Sequence, residues 1–175
     1  MGSGVGVYVA GVRTGVPCSP GSRLPAEFDA ACVEKHRTGA LKDFNVLVGD
    51  QGDPLVLDGW IDESGGSFDV VIDDGGHRDC QIWTSFLKLW PMVKSGGLYF
   101  IEDMQVAKWR QYNQYSSSLC DKGLNVPDKL KEIVDDLIYD MKGSEIDFIY
   151  CQREACVIGK KWPSELTQAS TPNAH

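Results

Sequence analysis

Apolar and polar positions along the chain follow two periods. The runs VGVYVAG (5–11), FNVLVGD (44–50), FDVVIDDGG (68–76) and LYFIED (98–103) are short and flanked by Gly or polar residues, which predicts strands. FDVVIDDGG is apolar on both faces, as strands buried in parallel sheets are. Other segments keep apolar residues three and four positions apart. Residues 79–90 place Ile82, Trp83, Phe86, Leu87 and Trp90 on one stripe, with Pro91 at its end. Residues 127–143 align Leu130, Ile133, Val134, Leu137, Ile138 and Met141, with Pro127 in the first turn and Gly143 as the C-terminal cap. DPLVLDGWIDES (53–64) and, more weakly, 25–40 also read as helices, and Ser95-Gly96-Gly97 reads as a turn. IDFIYC and ACVIGKK flank Gln152-Arg153-Glu154 as a hairpin. Residues 105–125 have no clear period and read as a long loop. The tail, 163–175, reads as disordered.

Strands alternating with helices predict a parallel α/β sheet, here with a terminal antiparallel edge. One domain over residues 1–162 is expected, with 1–43 an atypical N-terminal part. Right-handed strand–helix–strand connections put the carboxyl ends of successive strands on one edge of such a sheet. Two of those ends are acid pairs, Asp73-Asp74 and Glu102-Asp103. If the strands are neighbours, about 4.8 Å apart, Asp74, Glu102 and Asp103 converge where open α/β sheets bind ligands. Clustered carboxylates repel, and a divalent cation relieves the repulsion. Mg²⁺ suits an all-oxygen set and keeps waters that a substrate oxygen can replace. His77 follows Asp74 through Gly75-Gly76, so its imidazole can fold back over the same edge and take a proton near neutrality.

Composition narrows the partners. A formal net charge of −8 disfavours nucleic acid and anionic membrane as main partners. No apolar stretch is long enough to span a bilayer, and the N-terminus lacks the basic region of a secretory signal. The six cysteines show no CxxC spacing and are expected as reduced, partly buried thiols, with cytoplasmic location as the default.

The joint motif FDVVIDDGGH, Ser85-Phe86, Pro91 and SGGLYFIEDM resembles class I S-adenosylmethionine-dependent methyltransferases. More narrowly, it resembles the Mg-dependent sugar O-methyltransferases of the macrocin and mycinamicin type and their cephalosporin-pathway relatives. LVGDQGDP (47–54) resembles the segment after the third strand of that group, and the likeness runs over about residues 44–161. The resemblance implies a Rossmann-like, mostly parallel sheet with helices on both faces. It implies S-adenosylmethionine and Mg²⁺ as cofactors and a small-molecule hydroxyl as acceptor, a sugar or glycosylated natural product. Carried over, Asp74, Glu102 and Asp103 bind the metal, His77 is the general base, and Asp50, Gln51 and Asp73 lie near the adenosyl part of the methyl donor.

Such a fold normally opens with a strand, a Gly-rich turn that cradles the methionine part, a helix, and a second strand whose terminal acid holds the ribose. Only residues 1–43 precede FNVLVGD, with neither an acid-Gly-x-Gly turn nor a recognisable second acid-ended strand. The cofactor half is therefore expected to be shortened, rebuilt or missing. Three readings stay open: an active O-methyltransferase, a degenerate or truncated domain that only binds, and a metal-dependent hydrolase. Exposed sheet edge in a shortened half would favour a homo-oligomer.

Overall fold

The structure is a computed structural model that describes residues 7–11, 24–27, 30–39, 42, 45–105, 124–139 and 143–163. Its strands are β1 (Val7–Gly11), β2 (Leu24–Glu27), β3 (Leu47–Val48), β4 (Phe68–Asp74), β5 (Val93–Ile101), β6 (Ile146–Cys151) and β7 (Cys156–Lys160). Its helices are α1 (Ala30–His36), α2 (Pro54–Ser64), α3 (Asp79–Leu89) and α4 (Val126–Ile138). The strands form one sheet in the order β3-β2-β1-β4-β5-β7-β6. β1 to β5 are parallel to one another, and β7 pairs antiparallel with both β5 and β6.

The chain steps one way from β1 to β2 to β3, then returns past β1 to β4 and steps the other way to β5. Right-handed crossovers therefore put α1 on one face and α2 and α3 on the other. The reversal point lies between β1 and β4, where the register sets Gly11 beside Asp74. The core under α2, α3 and α4 holds Leu57, Ile82, Phe86, Tyr99, Ile101, Leu130 and Ile158, all buried. Phe86 stacks on Trp83 and Trp90 and meets Tyr99 edge-on, so the aromatic stripe read from the sequence is core packing. Two helix starts are set locally. Asp53 caps α2 by accepting from the Leu55 amide, and Asn125 caps α4 by accepting from that of Asp128, both ahead of a proline in the first turn. The buried Lys160 ties the hairpin to the short 3₁₀ turn after α3: its Nζ donates to the Trp90 and Pro91 carbonyls and pairs with Glu145 at 3.1 Å.

Several expectations are corrected. Residues 25–40 are not one helix: β2 comes first, and α1 covers only Ala30–His36. Pro25 hid the strand, because proline ordinarily argues against a central strand; yet it lies in register with Val9 of β1. The turn expected at Ser95-Gly96-Gly97 is an irregularity inside β5, where Phe68 and Val70 pair with Val93 and Leu98. Among the described residues, Cys80, Cys151 and Cys156 are not reduced. Cys151 and Cys156 face each other across β6 and β7, 4.1 Å apart at Cα, and are joined; Cys80 is also disulfide-bonded. Cysteine usage thus no longer supports a cytoplasmic location. No helix among the described residues is long and apolar enough to cross a membrane. Residues 106–123 of the long loop, and 164–175 of the tail, lie outside the described residues.

A candidate metal and base site at the carboxyl edge

Successive residues of a strand point to opposite faces, so the two acids ending β4 part company. Asp73 points into the core and is 1% exposed. Its carboxyl oxygens accept from Gln51 Nε2 at 2.9 Å and from the Tyr99 hydroxyl at 3.3 Å. Burial pushes the Asp73 carboxyl up to about 7, against the lowering effect of its hydrogen bonds to Gln51, Tyr99 and the Gly75 backbone. The Tyr99 hydroxyl is raised well above its usual value, first by burial and then by Asp73 beside it. Asp74 points the other way, half-buried at the sheet edge.

The turn after β4 is held from below by two glutamines. Gln51, 1% exposed, accepts the Gly76 amide on Oε1 at 3.1 Å while its Nε2 holds Asp73. One side chain thus joins the strand end to the residue before His77. Gln81, on the first turn of α3, donates to Asp50 Oδ1 at 3.0 Å, and the same oxygen takes the Gly52 amide at 2.8 Å. A Cβ on Gly75 would run into the Gln51 amide, and one on Gly76 into that of Gln81. The glycines are therefore required by close approach. The sharp turn expected of them is taken by His77, whose φ is 53°.

At the end of β5, the Glu102 amide donates to the Asp73 carbonyl at 2.9 Å and continues the β4 pairing by one residue. Asp103 then leaves the strand with a φ of 51°. The Met104 amide donates to the Glu154 carbonyl at the hairpin tip, and Gln105 Nε2 donates to Asp103 Oδ1 at 3.2 Å. Among the described residues, His77 and Asp103 are the only non-glycine positions with positive φ. Left-handed backbone carrying a side chain is uncommon and gathers at functional sites. Here the two such residues meet: His77 Nε2 lies 3.7 Å from Asp103 Oδ2.

Asp74, His77 and Asp103 each offer one donor atom, and the three atoms lie within 4.8 Å of one another. Two carboxylates suit a hard dication that completes its shell with water, so the donor set fits Mg²⁺. Of the seven residues singled out from the sequence, these three are brought together. Glu102 is next to the group but is not one of its donors. Asp73 and Gln51 are both buried and form a brace beneath the turn. Asp50 is half-buried and bound into the 50–52 loop. One candidate escaped the sequence reading. Glu27 ends β2, in register with Gly11 and Val48, at the place where the resemblance expects a ribose-holding acid. Its signal, a short LPAE run, was masked by Pro25.

Set against solved structures, the chain aligns with the MycE methyltransferase of the mycinamycin biosynthetic pathway, solved in complex with Mg and SAH. The TM-score is 0.67 at 22% identity, covering 97% of this chain and 52% of that one. This is a methyltransferase fold. The O-methyltransferase TomG from Streptomyces achromogenes, solved with SAM, shares it more distantly, with a TM-score of 0.54 at 13% identity over 89% of this chain and 72% of that one. No protein-family model matches the chain. In sequence, the methyltransferase-fold chain is 52% identical over 63 residues to mycinamicin VI 2''-O-methyltransferase of Micromonospora griseorubida, covering 36% of this chain and 16% of that protein. It is 42% identical over 95 residues to demethylmacrocin O-methyltransferase of Streptomyces fradiae, covering 52% and 22%. The chain thus spans about a fifth of the length of the curated relatives it matches. In the sheet, β1, β2 and β3 lie on the far side of β4, and residues 12–23 between β1 and β2 lie outside the described residues.

Proposed function

We propose that the chain is the catalytic part of an S-adenosylmethionine- and Mg²⁺-dependent O-methyltransferase, acting on a hydroxyl of a small molecule, a sugar or a glycosylated natural product. The observation that carries this reading is the convergence of Asp74, His77 and Asp103 donors within 4.8 Å beside the reversal point of a methyltransferase fold. Ligands of open α/β sheets bind at such a point. The names of the relatives support the acceptor class: L-olivosyl-oleandolide 3-O-methyltransferase and 8-demethyl-8-alpha-L-rhamnosyl tetracenomycin-C 2'-O-methyltransferase both name glycosylated acceptors.

The chemistry divides among the residues as follows. Asp74 and Asp103 would hold the cation, with Glu102 a neighbour that would contact it through water. When bound, Mg²⁺ supplies positive charge where an acceptor oxygen gains alkoxide character, and the sulfonium donor supplies an activated methyl group. His77 takes the acceptor's hydroxyl proton on its imidazole, a contribution of about 10²–10⁴-fold for a well-placed base. Gln51 and Gln81 fix the turn that carries it, so the imidazole and the Asp103 carboxylate meet one substrate atom together. The carboxyl edges of β1 and β2, at Gly11 and Glu27, are the seat of the methyl donor in this reading.

Calorimetry with S-adenosylhomocysteine, followed by methyl transfer to a panel of glycosylated acceptors, tests the proposal. Saturable binding, and transfer that stops with a chelator and returns with Mg²⁺, are expected. Cation binding with no affinity for S-adenosylhomocysteine would instead mark a domain that only binds.

A further inference from the structure

The hairpin tip between β6 and β7 holds the end of β5 with little packing of its own. Gln152, Arg153 and Glu154 are exposed, so these side chains do not anchor the tip by burial. Its turn is closed by a backbone bond from the Gln152 amide to the Ala155 carbonyl at 2.9 Å. Directly behind that turn, Cys151 and Cys156 pair across the two strands and are joined, 4.1 Å apart at Cα. Cys156 also lies in register with Ile101, the last residue of β5. Bridge, tip and strand end thus form one mechanical unit. Through it the Glu154 carbonyl takes the Met104 amide at 3.1 Å, one residue beyond Asp103. Asp103 stands on left-handed backbone, which a side chain keeps only where its surroundings over-determine it.

We propose that the Cys151–Cys156 bridge is a redox switch on the Asp103 loop. Closed, it pins the tip, and the tip pins Met104 and with it Asp103. Opened by a dithiol, it frees the tip, and Asp103 drifts from Asp74 and His77. The Met104 side chain packs on the core, so opening loosens the loop without unfolding β5. The bridge is open to attack from one side: Cys151 is exposed, whereas Cys156 is only 2% exposed. A thiolate of the dithiol bonds to the Cys151 sulfur, the Cys151–Cys156 bond breaks, and Cys156 leaves as a thiolate that takes up a proton. The second thiol of the reagent, deprotonated, then attacks the reagent sulfur now bound to Cys151, and Cys151 leaves and is protonated. The bridge has gained two electrons and two protons, and the dithiol has become a disulfide. The hold on the loop stands by itself; its effect on methyl transfer rests on the function proposed above.

Amide hydrogen exchange in the metal-free chain, before and after dithiothreitol, reads the switch directly. The Met104 and Gln152 amides should exchange at least about 10-fold faster once the bridge is open, while amides of β4, inside the sheet, keep their protection. Dithiothreitol also acts on the disulfide of Cys80. The double variant Cys151→Val, Cys156→Val separates the two, because it removes this bridge alone and keeps an apolar pair across the strands. It should show the fast Met104 exchange without reductant and no further change with it. Unchanged Met104 exchange in the reduced parent overturns the switch, and so does exchange in a folded double variant that matches the oxidised parent. A Mg²⁺ titration gives the reach of the effect: affinity should fall by about 10-fold in the reduced chain, the lower end of losses from disturbing the support of a metal ligand. Fast Met104 exchange with undiminished Mg²⁺ affinity overturns the step from the loop to Asp103. A chain that binds no Mg²⁺ even when oxidised counts against the function proposed above, and the exchange result still decides the hold on the loop.

Discussion

Asp73-Asp74 and Glu102-Asp103 are alike in sequence, each closing an apolar strand, yet the fold uses them differently. At the end of β4 the first acid turns inward to Gln51 and Tyr99, and the second reaches the edge. At the end of β5 the backbone of the first acid extends the sheet by bonding Asp73, and only after a left-handed step does the second join Asp74 and His77. The pairs do not converge as pairs. Each strand sends one acid to the site and spends its neighbour on holding the strand end in place. Braces differ as well: that of β4 is a fully buried glutamine, whereas that of β5 is a half-buried one, Gln105, with the hairpin tip.

The largest effects should separate the delivering acids from their neighbours. Asp74→Asn and Asp103→Asn each remove a charged donor, and Mg²⁺ affinity should fall by about 100-fold, the upper end of losses seen even for groups one shell further out. Glu102→Gln should change it by about threefold at most, because a water-mediated contact survives the exchange. A magnesium titration of the three variants decides. Equal losses at all three positions would mean that the two strands deliver three acids after all, and the distinction drawn between neighbours would fall.

A second contrast concerns the braces. Gln51→Leu strips a buried carboxyl and the Gly76 amide of their partner, and each orphaned group costs about 1–3 kcal/mol. Urea unfolding should therefore show a loss of about 2–4 kcal/mol. Gln105→Leu exposes its lost bond to water and should cost under about 1 kcal/mol. A smaller loss at position 51 than at 105 would reverse the order of the two braces.

Much of this was legible because it is local. The acid pairs, the helix stripes of α3 and α4 and the hairpin follow from periodicity, and so does the sharing of one edge by the strand ends. Periodicity also held the clue to the division of labour, since adjacent strand residues must face apart. What it could not supply was which neighbour turns inward, because that is fixed by Gln51 arriving from the loop after β3 and Tyr99 from β5. The glycines of the DDGGH turn show the same limit. Their presence is visible, but the reason for it, two amide side chains pressed against the backbone, lies in residues 24 and 5 positions away in sequence. β2 was missed for the opposite reason: a local rule about proline was obeyed where the tertiary pairing with β1 and β3 overrode it.

The gentlest test follows the inward acid of β4 through pH, in metal-free protein. Asp73 is held as a neutral acid up to about 7 in the folded chain by burial, while an unfolded aspartate ionises near 3.8. Between those values the unfolded chain binds fewer protons than the folded one, so stability falls as pH rises, and the loss levels off above about 7. The contribution of a single group is at most about 1.4 kcal/mol per pH unit. Asp73→Asn keeps the shape and can still accept from Gln51, but it cannot ionise. Its stability, measured by urea unfolding from pH 4 to 8, should therefore lack that slope, leaving it the more stable protein at pH 8. An Asn variant that tracks the parent across the whole range would mean that Asp73 is ionised in the fold, and that the inward acid of β4 is as charged as the outward one.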